Sequence, residues 1–168
     1  MLTVEEIKSL SELVPLPEEG GFYKETYRAE GCIPGTVLPA RYKSTNRNYS
    51  TLIYYLLTPD VFFQMHRVAS DEIFHFYLGD AVEMLQLMPD GSGKIVRIGQ
   101  DIKNGEVVQC IVPHGVWQGA MLSPGGRFAL MGCSVSPGFE FADYETGTRD
   151  ELVRVFPQYK EMIFKLTK

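Results

Sequence analysis

From Thr58 to Gly126 the chain is punctuated by turn-forming clusters: T-P-D, A-S-D, L-G-D, P-D-G-S-G, K-N-G, P-H-G and S-P-G-G. The pieces between them are short and rich in β-branched and aromatic residues, which favours strands over helices. Short strands with turns at this interval build a sandwich or a barrel. No helical stretch alternates with them, so a parallel sheet with crossover helices is excluded. A length of 168 residues suffices for one all-β domain that buries its core without disulfides or metal. The expected domain is residues 1–168, with a barrel core over about residues 20–147.

Helices are expected only at the ends. Thr3 and Glu6 are spaced as a capping box, and Val4, Ile7, Leu10, Leu13 and Val14 fall on one face, predicting a short amphipathic helix over 3–14. Residues 148–166 read as two short helical turns split by Pro157. The run F-Y-K-E-T-Y-R alternates, with Phe22, Lys24, Thr26 and Arg28 on one face and Tyr23, Glu25 and Tyr27 on the other. Residues 29–48 lack periodicity and are expected to form a long irregular excursion with a short strand near Tyr42.

Charge and apolar patterning narrow the function classes. The formal charge is −5 and Lys and Arg form no basic stripe, which argues against a nucleic-acid partner. The longest apolar run, around Leu52–Leu57, is too short to span a bilayer. The acidic start M-L-T-V-E-E-I-K does not read as a signal peptide. Cys32, Cys110 and Cys133 show no C-x-x-C spacing and are expected as small buried hydrophobes in a reducing, cytoplasmic setting.

The densest chemistry lies in Q-M-H-R-V-A-S-D-E-I-F-H-F-Y-L-G, Gln64 to Gly79, which carries His66, Glu72 and His75. An imidazole near the end of one strand and a carboxylate at the start of the next can face one cavity. A second stretch, G-E-V-V-Q-C-I-V-P-H-G-V-W-Q-G-A, contributes Trp117 and Gln118. Together they resemble the two-motif signature of the cupins, small double-stranded β-helix barrels. In the first motif (H-x-H, then E, then G) His66, Glu72 and Gly79 match, and Val68 takes the second-histidine place. In the second (P-x-G-x-x-H) Pro113 and Gly115 match, and Gln118 stands where the histidine would be. The phrases P-E-E-G-G-F-Y-K-E-T-Y-R, V-P-H-G-V-W-Q and G-C-S-V-S-P-G-F-E-F-A-D-Y-E extend the likeness over roughly residues 15–147, to one small, largely uncharacterised family, cupin family 5. The resemblance implies a jelly-roll barrel with a short N-terminal helix and helical C-terminal turns. It also implies a homodimer paired through an edge strand, which would cover an otherwise open edge.

Metal-bearing cupins use three imidazoles and a carboxylate, a set suited to divalent transition metals. One imidazole, one carboxylate and one amide make a poor substitute, so no cofactor is expected; a low-occupancy divalent metal at His66, Glu72 and Gln118 is left open. Alternation puts Glu72, Phe74 and Phe76 on one face and His75 on the other, so His75 joins the site only through a bulge. Without metal, His66 beside Glu72 is an acid/base pair in an aromatic cavity. The resemblance adds precedent, since metal-free cupins include sugar isomerases and nucleotide-sugar epimerases that use His with Tyr; Tyr23, Tyr54 and Tyr77 are the phenols available.

The catalytic candidates are therefore His66, Glu72 and Gln118, and the candidate ligand contacts are Tyr23, Glu25, Tyr54, Arg67, His75, Phe76 and Trp117. Arg67 is the arginine best placed to meet an anion such as a phosphate, and Trp117 can stack on a carbohydrate ring. Structural readings stand beside these: His66 as a satisfied core histidine, Gln118 as a hydrogen-bonded plug, Trp117 as a packing anchor. The aromatic run F-E-F-A-D-Y-E is expected to pack the barrel against its neighbour. Three functions compete. The first is a metal-independent isomerase or epimerase acting on a sugar-like, phosphorylated or nucleotide-linked substrate. The others are a non-enzymatic small-ligand binding module and a degenerate metal cupin.

Overall fold

The computed structural model describes residues 2–168. In chain order its strands are β1 (Val14–Pro15), β2 (Phe22–Arg28), β3 (Cys32–Ile33), β4 (Arg47–Asn48), β5 (Thr51–Leu57), β6 (Phe63–Arg67), β7 (Asp71–Gly79), β8 (Val82–Leu87), β9 (Gly93–Ile98), β10 (Gln109–Val112), β11 (Trp117–Leu122), β12 (Ala129–Ser136) and β13 (Glu145–Thr146). Helix α1 (Val4–Leu10) precedes them, and α2 (Arg149–Val155) and α3 (Lys160–Lys165) follow. Two antiparallel sheets close the barrel, one in the order β1-β2-β5-β12-β7-β10 and the other β13-β6-β11-β8-β9. This is the double-stranded β-helix expected from the sequence.

Alternation along each strand divides the apolar residues into three layers. Between the sheets lie Tyr55, Leu57, Phe63, Phe74, Phe76, Met84 and Met131 with their neighbours. Outside the five-stranded sheet, Met65, Leu85 and Leu87 pack beneath Leu152, Phe156 and Ile163 of the C-terminal helical segment. At one end of the six-stranded sheet, Ile7 and Leu13 cover Leu56, Phe128 and Leu130.

Three bulges re-aim the side chains that matter most. On β6, His66 lies opposite Gln118 and Phe63 opposite Ala120, three residues against two. His66 and Phe63 therefore share the interior, with their rings 4.6 Å apart, while Met65 turns outward. On β2, Glu25 pairs with Ile53 but Tyr27 with Leu52. The extra residue, Thr26, breaks the expected alternation, so Arg28 joins Glu25 on the inner face and Tyr27 is exposed. On β7 the shift falls at Tyr77, between the pairs Phe76–Met131 and Leu78–Leu130. That bulge comes after His75 and leaves it outside. Gly79, at φ +106°, closes β7 where a Cβ would collide with the Phe128 carbonyl oxygen.

Other expectations are corrected locally. The capping box of Thr3 and Glu6 is formed, but α1 ends at Leu10, and Leu10 and Val14 are exposed. Residues 40–42 form a 3₁₀ turn instead of a strand, with Tyr42 buried and its hydroxyl 3.0 Å from Ser70. Cys110 and Cys133 are buried, whereas Cys32 is exposed.

Candidate functional site

The acid/base cluster begins where β6, β7 and β11 meet. His66, Glu72 and Gln118 are all buried there. The Nδ1 of His66 lies 2.8 Å from the Gln64 carbonyl oxygen. That oxygen can only accept, so Nδ1 carries a hydrogen, and in the neutral ring Nε2 presents a lone pair. The Gln118 amide nitrogen sits 3.4 Å from this Nε2 and also donates to Glu72 Oε2. One amide group thus bridges imidazole and carboxylate, which themselves stand 3.9 Å apart. The amide oxygen, Gln118 Oε1, is buried without a partner. Tyr144 stacks on His66 with ring centroids 4.9 Å apart and an interplanar angle of 21°, and its hydroxyl is also unpartnered.

A cavity of about 310 Å³ opens on the inner face of the six-stranded sheet, within the range of small-ligand pockets. Glu72 lies in its wall; His66 and Gln118 do not and stand behind Glu72. Its walls are largely apolar, from Leu16, Ile53, Val135, Phe139 and Phe141, with Tyr23 and the Cys133 thiol among them. Cys133 Sγ donates toward Glu72 Oε1 at 3.6 Å. Burial, with the charges of Glu72 and Glu19, pushes that thiol well above its usual range and keeps it protonated.

Glu19 supplies a second buried carboxylate. It sits in the turn after β1, where Gly20 at φ +84° lets the chain pass so close to Phe62 that a Cβ would collide with its carbonyl. The turn is pinned on both sides: Gln64 N–H donates to the Glu19 carbonyl at 2.7 Å, and the Tyr55 hydroxyl donates to the Gly20 carbonyl at 2.9 Å. The Glu19 side chain lines the cavity at 8% exposure. Burial pushes its carboxyl up to about 7, against the pull of His66 and with added repulsion from Glu72 and Glu18; no hydrogen bond offsets the cost. For His66, burial is the largest effect and disfavours its charge, but Glu72, Glu19 and the hydrogen bond to the Gln64 carbonyl together outweigh it and raise the imidazole above its usual range.

At the half-exposed mouth, Arg28 pairs with Glu25 at 2.8 Å and with Glu140 at 2.7 Å. The segment 139–141 therefore builds the cavity wall, a correction to its expected role as packing toward a neighbour.

The structure disperses the other candidates. Tyr23 and Glu25 line the cavity, and Phe76 is core. Tyr54 and His75 lie on the outer face of the six-stranded sheet. There Tyr54 meets Tyr77 edge-on at 6.1 Å, and His75 contacts Ser134 and Gln109, each at 3.2 Å. Arg67 and Trp117 sit outside the five-stranded sheet. Arg67 is held by both oxygens of Glu145 at 2.8 and 2.9 Å, over the Trp117 ring at 4.4 Å. Trp117 packs against the C-terminal helical layer. Sequence reasoning missed Glu19 and Tyr144; an acidic pair before two glycines reads as a solvated turn, and no periodicity marks its burial.

A family model described as "Cupin superfamily (DUF985)" matches residues 5–147. The chain belongs to this cupin family. The uncharacterized protein YML079W of Saccharomyces cerevisiae is 38% identical over 133 residues, spanning 75% of this chain and 66% of that protein, just under two thirds of its length. Two solved structures are alike over nearly the whole cupin chain. A hypothetical protein from Leishmania major has a TM-score of 0.88 at 28% identity, covering 99% of both chains. Protein SO0799 from Shewanella oneidensis has a TM-score of 0.86 at 32% identity, covering 100% of this chain and 99% of that one.

The donor set does not fit the metal that the cupin fold implies. Gln118 turns an N–H donor toward both His66 Nε2 and Glu72 Oε2, the two atoms a cation would need. Val68 is a buried hydrocarbon. Among the described residues no group of three His, Cys, Asp or Glu side chains is placed to hold an ion.

Proposed function

We propose that this cupin binds a small carbonyl compound and moves a proton on it without a metal, as an isomerase or epimerase does. Glu19 is the group that meets the substrate. The observation that carries this reading is a buried, unpartnered carboxylate in a ligand-sized cavity, poised to exchange a proton near neutral pH. Glu19 removes a proton from the carbon next to the carbonyl. The enediolate that forms is reprotonated at the neighbouring carbon in an isomerisation, as the hydroxyl proton passes to the former carbonyl oxygen, or by a solvent proton on the opposite face of the same carbon in an epimerisation. Glu72 is the second buried carboxylate in the wall. His66 and Gln118 act through it, as positioning residues that fix its orientation and share its charge. A sugar-like body suits the cavity, but a phosphate or nucleotide does not, because Arg28, the cation in the wall among the described residues, is already held by two glutamates.

The test is deuterium incorporation from heavy water into a panel of aldoses and ketoses, followed by NMR. The wild-type protein is expected to exchange the proton beside the carbonyl of at least one sugar. Glu19→Gln should slow this by roughly a hundredfold or more, and His66→Ala by less. Sugars that bind yet exchange no deuterium would leave a binding protein in place of an enzyme.

A further inference from the structure

The charge of the cavity is lopsided. Four glutamates, Glu19, Glu25, Glu72 and Glu140, face it, against one arginine, Arg28. Arg28 is spent at the mouth on Glu25 and Glu140, where all three side chains are partly exposed. The inner end is different. There Glu19 and Glu72 are each about nine-tenths buried, and Glu72 lies close enough to raise the cost of charging Glu19. Glu72 takes hydrogen bonds from Gln118 and Cys133, but Glu19 takes none. Among the described residues the cationic group nearest this end is His66 when protonated, which lies outside the wall and can offset one of the two carboxylates. A buried carboxylate with no donor is costly unless a partner arrives. Much of the remaining wall is apolar, with Ile53 and Val135 among its residues.

We propose that the inner end of the cavity is a seat for a primary ammonium group carried on a compact, uncharged body. The ammonium lies between Glu19 and Glu72 and the body lies against Ile53 and Val135. Its N–H donors supply the hydrogen bonds that Glu19 lacks, its charge lies between the two carboxylates, and the apolar walls take the carbon skeleton. Anionic ligands are repelled along the whole length of the pocket. The inference rests on the cavity being the ligand site, but not on any proton transfer there. An amino sugar satisfies both readings.

Three probes that share a saturated six-membered ring separate the headgroups: cyclohexylamine, cyclohexanol and cyclohexanecarboxylate, each titrated into the full chain by calorimetry or NMR. The amine is expected to bind tenfold or more tightly than the alcohol, since a charge-assisted contact is replaced by a neutral one, roughly tenfold in affinity. The carboxylate should bind least. Glu19→Gln should remove most of the amine's advantage while leaving the alcohol unchanged. Glu25→Gln, a partly exposed substitution that leaves the core intact, should weaken the amine a few-fold and strengthen the carboxylate. Equal binding of all three, tightest binding of the carboxylate, or binding of none would overturn the ammonium seat. Equal binding would do so while leaving the cavity as a ligand site, and deuterium exchange into a bound sugar would survive any of the three.

Discussion

Burial pushes the Glu19 carboxyl up to about 7, and the same shift acts on stability. A carboxyl with a raised pKa holds its proton more tightly in the folded chain than in the unfolded one. Its contribution is therefore fully present below the ordinary carboxylate range and is lost as the pH rises through about 7. His66, raised by the neighbouring glutamates, acts in the same direction at higher pH. The Glu19 share of this loss between pH 5 and pH 8 is about 2–3 kcal/mol, or roughly 5–10 °C in melting temperature for a domain of this size. Glu19→Gln should remove it, leaving a variant whose melting temperature falls less across that window and exceeds the wild type at pH 8. Parallel melting curves for the two proteins would mean that Glu19 is not held as the structure places it. The residue itself was not legible in the sequence. His66, Glu72 and Gln118 were, because motif spacing carries them. The burial of Glu19 depends on a glycine turn pinned by Tyr55 and Gln64 from two other strands.

At the level of strands, alternation located the inner faces but not the breaks in them. Glu72, Phe74 and Phe76 lie inward as their period of two requires. The bulges on β2 and β6 are set by pairing with β5 and β11, contacts that no local pattern contains. They are why Arg28 reaches the pocket and why His66 and Phe63 share the interior. The same geometry makes the missing ligands testable. Val68 lies two residues beyond His66, and Gln118 is its direct cross-strand partner. Replacing both, as Val68→His with Gln118→His, restores the residue types of a metal-bearing cupin at the positions of its motifs. The double variant is expected to retain about one equivalent of cobalt or nickel after dialysis, with wild type retaining far less. Metal analysis by mass spectrometry reads this directly, and a wild-type protein that holds a full equivalent would refute the reading of Gln118 as a bridging donor.

Taken whole, the barrel protects its two sheets unequally. The C-terminal helical segment seals the outer face of the five-stranded sheet, so Leu85 and Leu87 are fully buried. On the six-stranded sheet α1 covers only one end, around Leu56 and Leu130. The remainder presents Tyr27, Tyr54, Tyr77 and Ile111, each between 38% and 56% exposed, around the half-buried His75. Apolar and aromatic faces of this kind are where interaction surfaces are found in general, and a two-fold axis through this one would match each patch with its copy. The expected homodimer would then pair through a sheet face instead of an edge strand. In a two-fold pair a single substitution acts twice, so Tyr54→Lys combined with Ile111→Lys places four new positive charges in the contact. Light scattering coupled to size exclusion should give twice the chain mass for wild type and the single-chain mass for this variant, with an unchanged circular dichroism spectrum. If the variant remains dimeric, the contact lies elsewhere, and the exposed edge strand β9, with Ile95 half-exposed, becomes the place to substitute next. The cavity opens on the inner face of the same sheet, so the dissociated variant should still bind cyclohexylamine if each subunit carries a complete pocket.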